Sequence, residues 1–200
     1  MLVGFPALYF NDEGDAFKLL AISQWGGGMW RSMQRAFNGC QNLSISATDA
    51  ATALTENVSN FMYARSGCSG LTTFPSLNTS AGAHFGGAWQ NCTGLTTFPL
   101  LNFGKMEKGE NCFAGVTLAS DSYGELLANT AALNKVSNVT FDGGLSKAQG
   151  LIGIQAREKL TKKMGWPIAD GDDLNPKPMP KKARPAKIKP QPLSEEANDF

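Results

Sequence analysis

The sequence predicts an α/β solenoid of about four coils, closed at its C-terminal side by an α/β cap and followed by an extended tail rich in proline and lysine. Three observations lead there. First, in a chain of 200 residues, Gly67-Cys68-Ser69-Gly70-Leu71-Thr72-Thr73-Phe74-Pro75 returns 24 residues later as Asn91-Cys92-Thr93-Gly94-Leu95-Thr96-Thr97-Phe98-Pro99. Second, the period stops after Val116 and a helix-strand grammar replaces it. Third, apolar periodicity disappears from Asp172 onward. Self-similarity at a period of about 20 to 50 residues marks stacked units, each unable to bury its apolar face alone.

Two more copies flank the matching pair. Arg35-Ala36-Phe37-Asn38-Gly39-Cys40-Gln41-Asn42-Leu43 precedes by 28 residues, and Ala47-Thr48-Asp49-Ala50-Ala51-Thr52-Ala53-Leu54 accounts for the four extra positions as a longer loop or turn. Cys112-Phe113-Ala114-Gly115-Val116 aligns with Ala88-Trp89-Gln90-Asn91-Cys92, so Cys112 takes the small-residue position and Val116 the cysteine position. The expected organisation is an N-terminal cap at 1–24, the repeats at 25–118, an α/β cap at 119–171 and a basic tail at 172–200.

Within a copy, Leu71, Phe74 and Leu77, like Leu95, Phe98 and Leu101, follow the L-x-x-F/L-x-x-L spacing of leucine-rich repeats. A short strand is expected at 71–74 and at 95–98, where threonine suits a pleated surface. Helical turns are expected at 61–65, 85–89 and 109–113, with Phe85 and Trp89 on one inward face. Parallel strands from successive coils would leave a curved outer surface and no deep pocket.

Ile22-Ser23-Gln24-Trp25-Gly26, Trp30-Arg31-Ser32-Met33-Gln34-Arg35-Ala36-Phe37-Asn38-Gly39-Cys40 and Asn42-Leu43-Ser44-Ile45-Ser46-Ala47-Thr48-Asp49 resemble the BspA-like leucine-rich-repeat surface proteins of bacteria, whose relatives include phage tail and virion proteins. The resemblance spans roughly residues 19 to 171. Arg65 stands where an aromatic is expected, and Gly109 where an apolar residue is. The resemblance implies binding at a virion or cell surface, without catalysis.

Outside the repeats, residues 1–24 read as a hairpin or strand pair covering the first coil. Ser122-Tyr123-Gly124-Glu125 has capping-box spacing and predicts a helix from Ser122. Val136 to Phe141 reads as β, and 149–164 as a helix with Ile152, Ala156, Leu160 and Met164 on its inward stripe. Trp166-Pro167-Ile168-Ala169-Asp170-Gly171 reads as a last strand.

Charge divides the chain. The formal net charge is +1, yet residues 175–191 carry Lys177, Lys181, Lys182, Arg184, Lys187 and Lys189 with no acid, which leaves the remainder at −5. Interrupting prolines favour an extended segment there. The expected partners are other virion proteins, reached by the basic tail, and a host-surface protein or glycan, reached by the repeat face around Arg65, His84 and Trp89. Nucleic acid is a poor fit, and membrane insertion is not expected.

Chemistry-bearing motifs are sparse. The four cysteines form no C-x-x-C, and three occupy one repeat position, so they read as a column of small buried residues with no metal role. His84 is the only histidine and has no nucleophile phrase beside it. Asp170, Asp172 and Asp173 miss calcium-loop spacing, and Trp25-Gly26-Gly27-Gly28 lacks the Gly-Lys-Ser/Thr of a phosphate loop. Paired carboxylates for polysaccharide cleavage are not evident on a Thr/Ser-rich face. No catalytic residue, cofactor or metal is expected. The start, Met1-Leu2-Val3-Gly4-Phe5-Pro6, does not resemble a secretion signal, and the sequons at Asn42, Asn57, Asn78, Asn91 and Asn138 follow from the repeat itself. Together these favour a phage tail-fibre or surface-appendage protein, localised to the virion, over a bacterial cell-surface adhesin.

Overall fold

A computed structural model describes residues 4, 5 and 7–172. Its organising feature is a set of backbone hydrogen bonds that run from each repeat copy to the next. Arg35, Phe37 and Gly39 donate their amides to the carbonyls of Met62, Ala64 and Ser66 at 2.8–2.9 Å. Tyr63, Arg65 and Gly67 donate to Gly86, Ala88 and Gln90, and Gly87, Trp89 and Asn91 to Glu110, Cys112 and Ala114. Met33, Phe61, Phe85 and Gly109 open the four segments, donating to Asn60, His84, Lys108 and Thr140. Buried backbone groups must be paired, and here the copy beyond supplies the partners.

Each segment is a run of turns, held by two left-handed residues. One is Arg35, Tyr63, Gly87 or Asn111, at φ 53–63°; the other is Gly39, Gly67, Asn91 or Gly115, at φ 58–82°. A residue at positive φ cannot continue a helix. The helical turns expected at 61–65, 85–89 and 109–113 are therefore absent, and irregular turns stand in their place.

The expected leucine-rich-repeat solenoid is not what the chain forms. No strand is present at 71–74 or 95–98, and among the described residues the strands form three separate parallel pairs, each two residues long. These pair β1 (Gly4–Phe5) with β3 (Met29–Trp30), β2 (Ala21–Ile22) with β4 (Ser44–Ile45), and β5 (Phe141–Asp142) with β6 (Ile168–Ala169). The burial pattern explains the missing ladder. Leu71, Phe74 and Leu77 are buried with two positions between each, and Leu95, Phe98 and Leu101 repeat this, a period of three that a two-residue pleat cannot serve. Pro75 and Pro99 also lack an amide to donate. The N-terminal hairpin is corrected as well: β1 and β2 pair in parallel with later strands, not with each other. The loop carrying the extra residues has a defined task, since the Asp49 carboxylate accepts the amides of Trp25 at 2.9 Å and Gly26 at 3.0 Å. Those bonds, the Trp25 amide first, hold Asp49 below the usual carboxylate range.

Two α-helices complete the described residues. α1 (Ser120–Leu133) begins two residues before the capping-box serine, and the Ser122 hydroxyl instead accepts the amide of Phe98 at 2.9 Å. α2 (Gly150–Glu158) ends in a π-turn at Lys159–Lys163. The two helices meet where Gly153 lies against Gly124, so closely that a Cβ on Gly153 would stand 3.0 Å from the Gly124 Cα. That contact decides the buried stripe of α2: Gly153 and Ala156 face inward, continued by Leu160 in the π-turn. Ile152, expected inward, is 67% exposed.

A buried ionic contact fastens this block. Asp170 accepts a bidentate pair from Arg157, Nε at 2.8 Å and Nη2 at 2.9 Å, and the Tyr123 hydroxyl at 2.8 Å. Burial, followed by the charge of Asp170, raises the Tyr123 phenol well above its ordinary value.

Two predictions follow from this packing. A Cβ at Gly94 would lie 2.7 Å from the Ser69 carbonyl and 2.8 Å from that of Leu71. Gly94→Ala should thus cost about 1–3 kcal/mol in urea unfolding, whereas Asn91→Gly, at φ 58°, should be close to neutral. Because Tyr123 holds its proton more tightly when folded, the unfolded chain loses that proton first. Stability should fall as pH rises above about 10, the ordinary tyrosine value, and Tyr123→Phe should flatten that decline.

Candidate functional site

Of the residues expected to face a partner, Arg65 and Trp89 are fully buried, which removes both from any recognition surface. The hydrogen-bond register explains their position. Phe37, Arg65, Trp89 and Phe113 occupy equivalent places in successive copies, and this column points into the core. Trp89 stacks on Phe85 at 6.0 Å and on Phe113 at 5.3 Å, in keeping with the shared inward face expected of Phe85 and Trp89.

Arg65 replaces a ring with a planar cation. Its guanidinium lies 4.5 Å from the Phe74 ring centroid, 5.4 Å from Phe37 and 5.6 Å from Trp25. Nη2 donates to the Met33 sulfur at 3.6 Å, while Nε and Nη1 have no hydrogen-bond partner among the described residues. Burial lowers its pKa to about 10. Desolvated cation-π contacts contribute about 2 kcal/mol, less than the several kcal/mol that burying an unpaired ion costs.

His84 is half-buried, and its backbone bridges Asn60 on one side and Lys108 on the other. Its position supports the chain path between copies. Lys177, Lys181, Lys182, Arg184, Lys187 and Lys189 lie outside the described residues, as does Asp173. Of the remaining acids of that cluster, Asp170 is held by Arg157, and Asp172 accepts the Ala148 amide at 2.6 Å. Among the described residues, no group of three His, Cys, Asp or Glu could hold a metal ion.

The cysteines are buried free thiols. The Cys68 Sγ donates to the Phe37 carbonyl at 3.1 Å, and the Cys92 Sγ to that of Arg65 at 3.0 Å. Burial first, then the neighbouring Cys68 and Asp12, pushes Cys40 up to about 12. These thiols are poor nucleophiles.

The surface the repeat does present is a shallow polar groove of about 480 Å³. Gln41, Ser69 and Thr93, the residues immediately after the three cysteines, form an exposed row along it. Asn38, Ser66 and Asn91 join them, and Asp12 closes the N-terminal side as the one acidic residue among the described lining residues. The left-handed glycines keep the groove open, since a side chain at Gly39 would overlap Asp12. Amides and hydroxyls in a row offer both donors and acceptors with little net charge. The sequence carried a signal for this row: in each copy the position after the cysteine changes identity but remains polar.

Comparisons with protein-family models, with curated proteins and with solved structures give no match. Among the described residues, no helix is long and apolar enough to cross a membrane.

The Arg65 geometry predicts that Arg65→Phe, which restores the residue type of positions 37 and 113, stabilises the chain by about 1–4 kcal/mol in chemical denaturation. Arg65→Ala, which leaves a cavity in the ring column, should destabilise it.

Proposed function

We propose that this chain is a non-enzymatic structural protein of a phage virion, a tail-fibre or surface-appendage component that acts in assembly and in recognition of the host surface. The observation that carries the reading is the groove row of Gln41, Ser69 and Thr93. A repeat brings equivalent polar groups side by side, and such a row suits a ligand that is itself repetitive and rich in hydroxyls. A host-surface glycan fits that description. The sequence resemblance to virion proteins adds the location, and the six cations of residues 175–191 add a means of attachment to an acidic neighbour in the particle.

Two outcomes are expected. Gln41→Ala combined with Thr93→Ala should abolish retention on host-envelope polysaccharide while leaving the circular dichroism spectrum unchanged; undiminished retention would remove the groove from the mechanism. A chain ending at Asp172 should fold as before yet fail to join the particle. Attachment of the full chain should weaken with salt, because exposed charges are screened over about 8 Å at physiological ionic strength. Antibody labelling of purified particles tests the location directly, and labelling of uninfected bacterial cells instead would favour an adhesin.

A further inference from the structure

The described residues have two open ends, and the two are complementary. At the N-terminal end, residues 7–22 bond to the first repeat copy, through Asn11 to Arg35, Asp12 to Asn38 and Ser44 to Leu20. This first pass encloses an apolar hollow of about 490 Å³, floored by Trp25, Trp30 and Phe37 and walled by Leu8, Phe10 and Leu19. Tyr9, Phe17 and Leu20, from the same stretch of chain, are exposed at 54–63% of their full area. Residues 7–24 carry three acids and one lysine, a net charge of −2.

The C-terminal end is basic. α2 packs against α1 through Gly153 and turns Leu151, Ile152 and Ile154 outward, at 71%, 67% and 49% exposure, with Leu145 nearby in sequence at 63%. Residues 145–172 carry five Lys or Arg and three acids, a net charge of +2. Contiguous exposed apolar side chains of this size mark an interaction surface.

We propose that the occupant of each end is a second copy of this chain, joined head to tail: the apolar ridge of α2 in one molecule enters the aromatic-floored hollow of the next, with Lys147 and Lys163 facing Asp12 and Glu13, while Asp15 stays paired with Lys18. Polarity and charge both match across this pairing. They match less well within it, since two α2 ridges would bring like charges together. The interface is heterologous, so each added molecule leaves one hollow and one ridge free, and association continues until a ring closes or a fibre forms. This inference is independent of the glycan reading.

The test is sedimentation equilibrium of the full chain. Self-association should rise with concentration and weaken as salt is raised. Ile152→Glu on the ridge, or Ala21→Lys at the exposed edge of the hollow, should each raise the dissociation constant roughly tenfold or more with an unchanged circular dichroism spectrum. The decisive arm mixes the two variants: each alone should be monomeric, and the mixture should form a dimer that grows no further. A monomeric wild-type chain at millimolar concentration would overturn the proposal. So would an Ala21→Lys chain that still dimerises, which would indicate ridge-to-ridge pairing. Association that appears only after truncation at Asp172 would also overturn it, by assigning the ridge to the chain's own tail.

Discussion

The amides of Arg35, Phe37 and Gly39 find their carbonyls in the copy that follows, as do the amides at the equivalent places of the next two copies. Much of the remaining structure answers to that constraint. Alternate residues donate across, so the residues on each turn are divided between those that bond to the next copy and those that turn the chain. The turning is done at the two left-handed positions; the second is glycine or asparagine in every copy, and the first is so in two of the four. Side chains at the donating positions then fall into register from copy to copy. The aromatic column is a consequence of that register, and so is the groove on the opposite side.

Register also explains the tolerance of an unusual residue. Arg65 is placed by its backbone bonds, not by a charge partner, and a planar guanidinium fills the slot of a ring between Phe37 and Trp89. The C-terminal block handles its buried charge differently. There Asp170 has Arg157 and Tyr123 for partners, and the pair lies where α1, α2 and the last strand converge. One buried charge is tolerated by shape, the other by neutralisation.

Much of this could be read from the sequence, and the exceptions have physical causes. The repeat, the equivalence of Cys112 with Ala88 and the two helices were legible because they rest on local identity and periodicity. The strand ladder was misread because a run of Thr-Thr-Phe has strand propensity, whereas its burial has a period of three. Arg65 read as a surface residue because charge normally implies exposure; its alignment with Phe37 and Trp89 pointed the other way. Ile152 read as a core residue because its size outweighed Gly153 in the periodic pattern, although a glycine at a helix crossing allows the closer approach. The groove was missed because no single copy contains it. It exists only where Gln41, Ser69 and Thr93 come side by side.

The column of thiols bears on where such a chain can exist. Cys40, Cys68 and Cys92 contribute through size, Cys68 and Cys92 also through weak S–H bonds to the preceding copy, and Val116 fills the same slot with no sulfur at all. Folding therefore waits on no oxidant and no disulfide exchange. A reductant has no bond to break, and an oxidant meets sulfur atoms that water does not reach. At sulfur, the architecture asks for the same chemistry in a reducing medium as in an oxidising one.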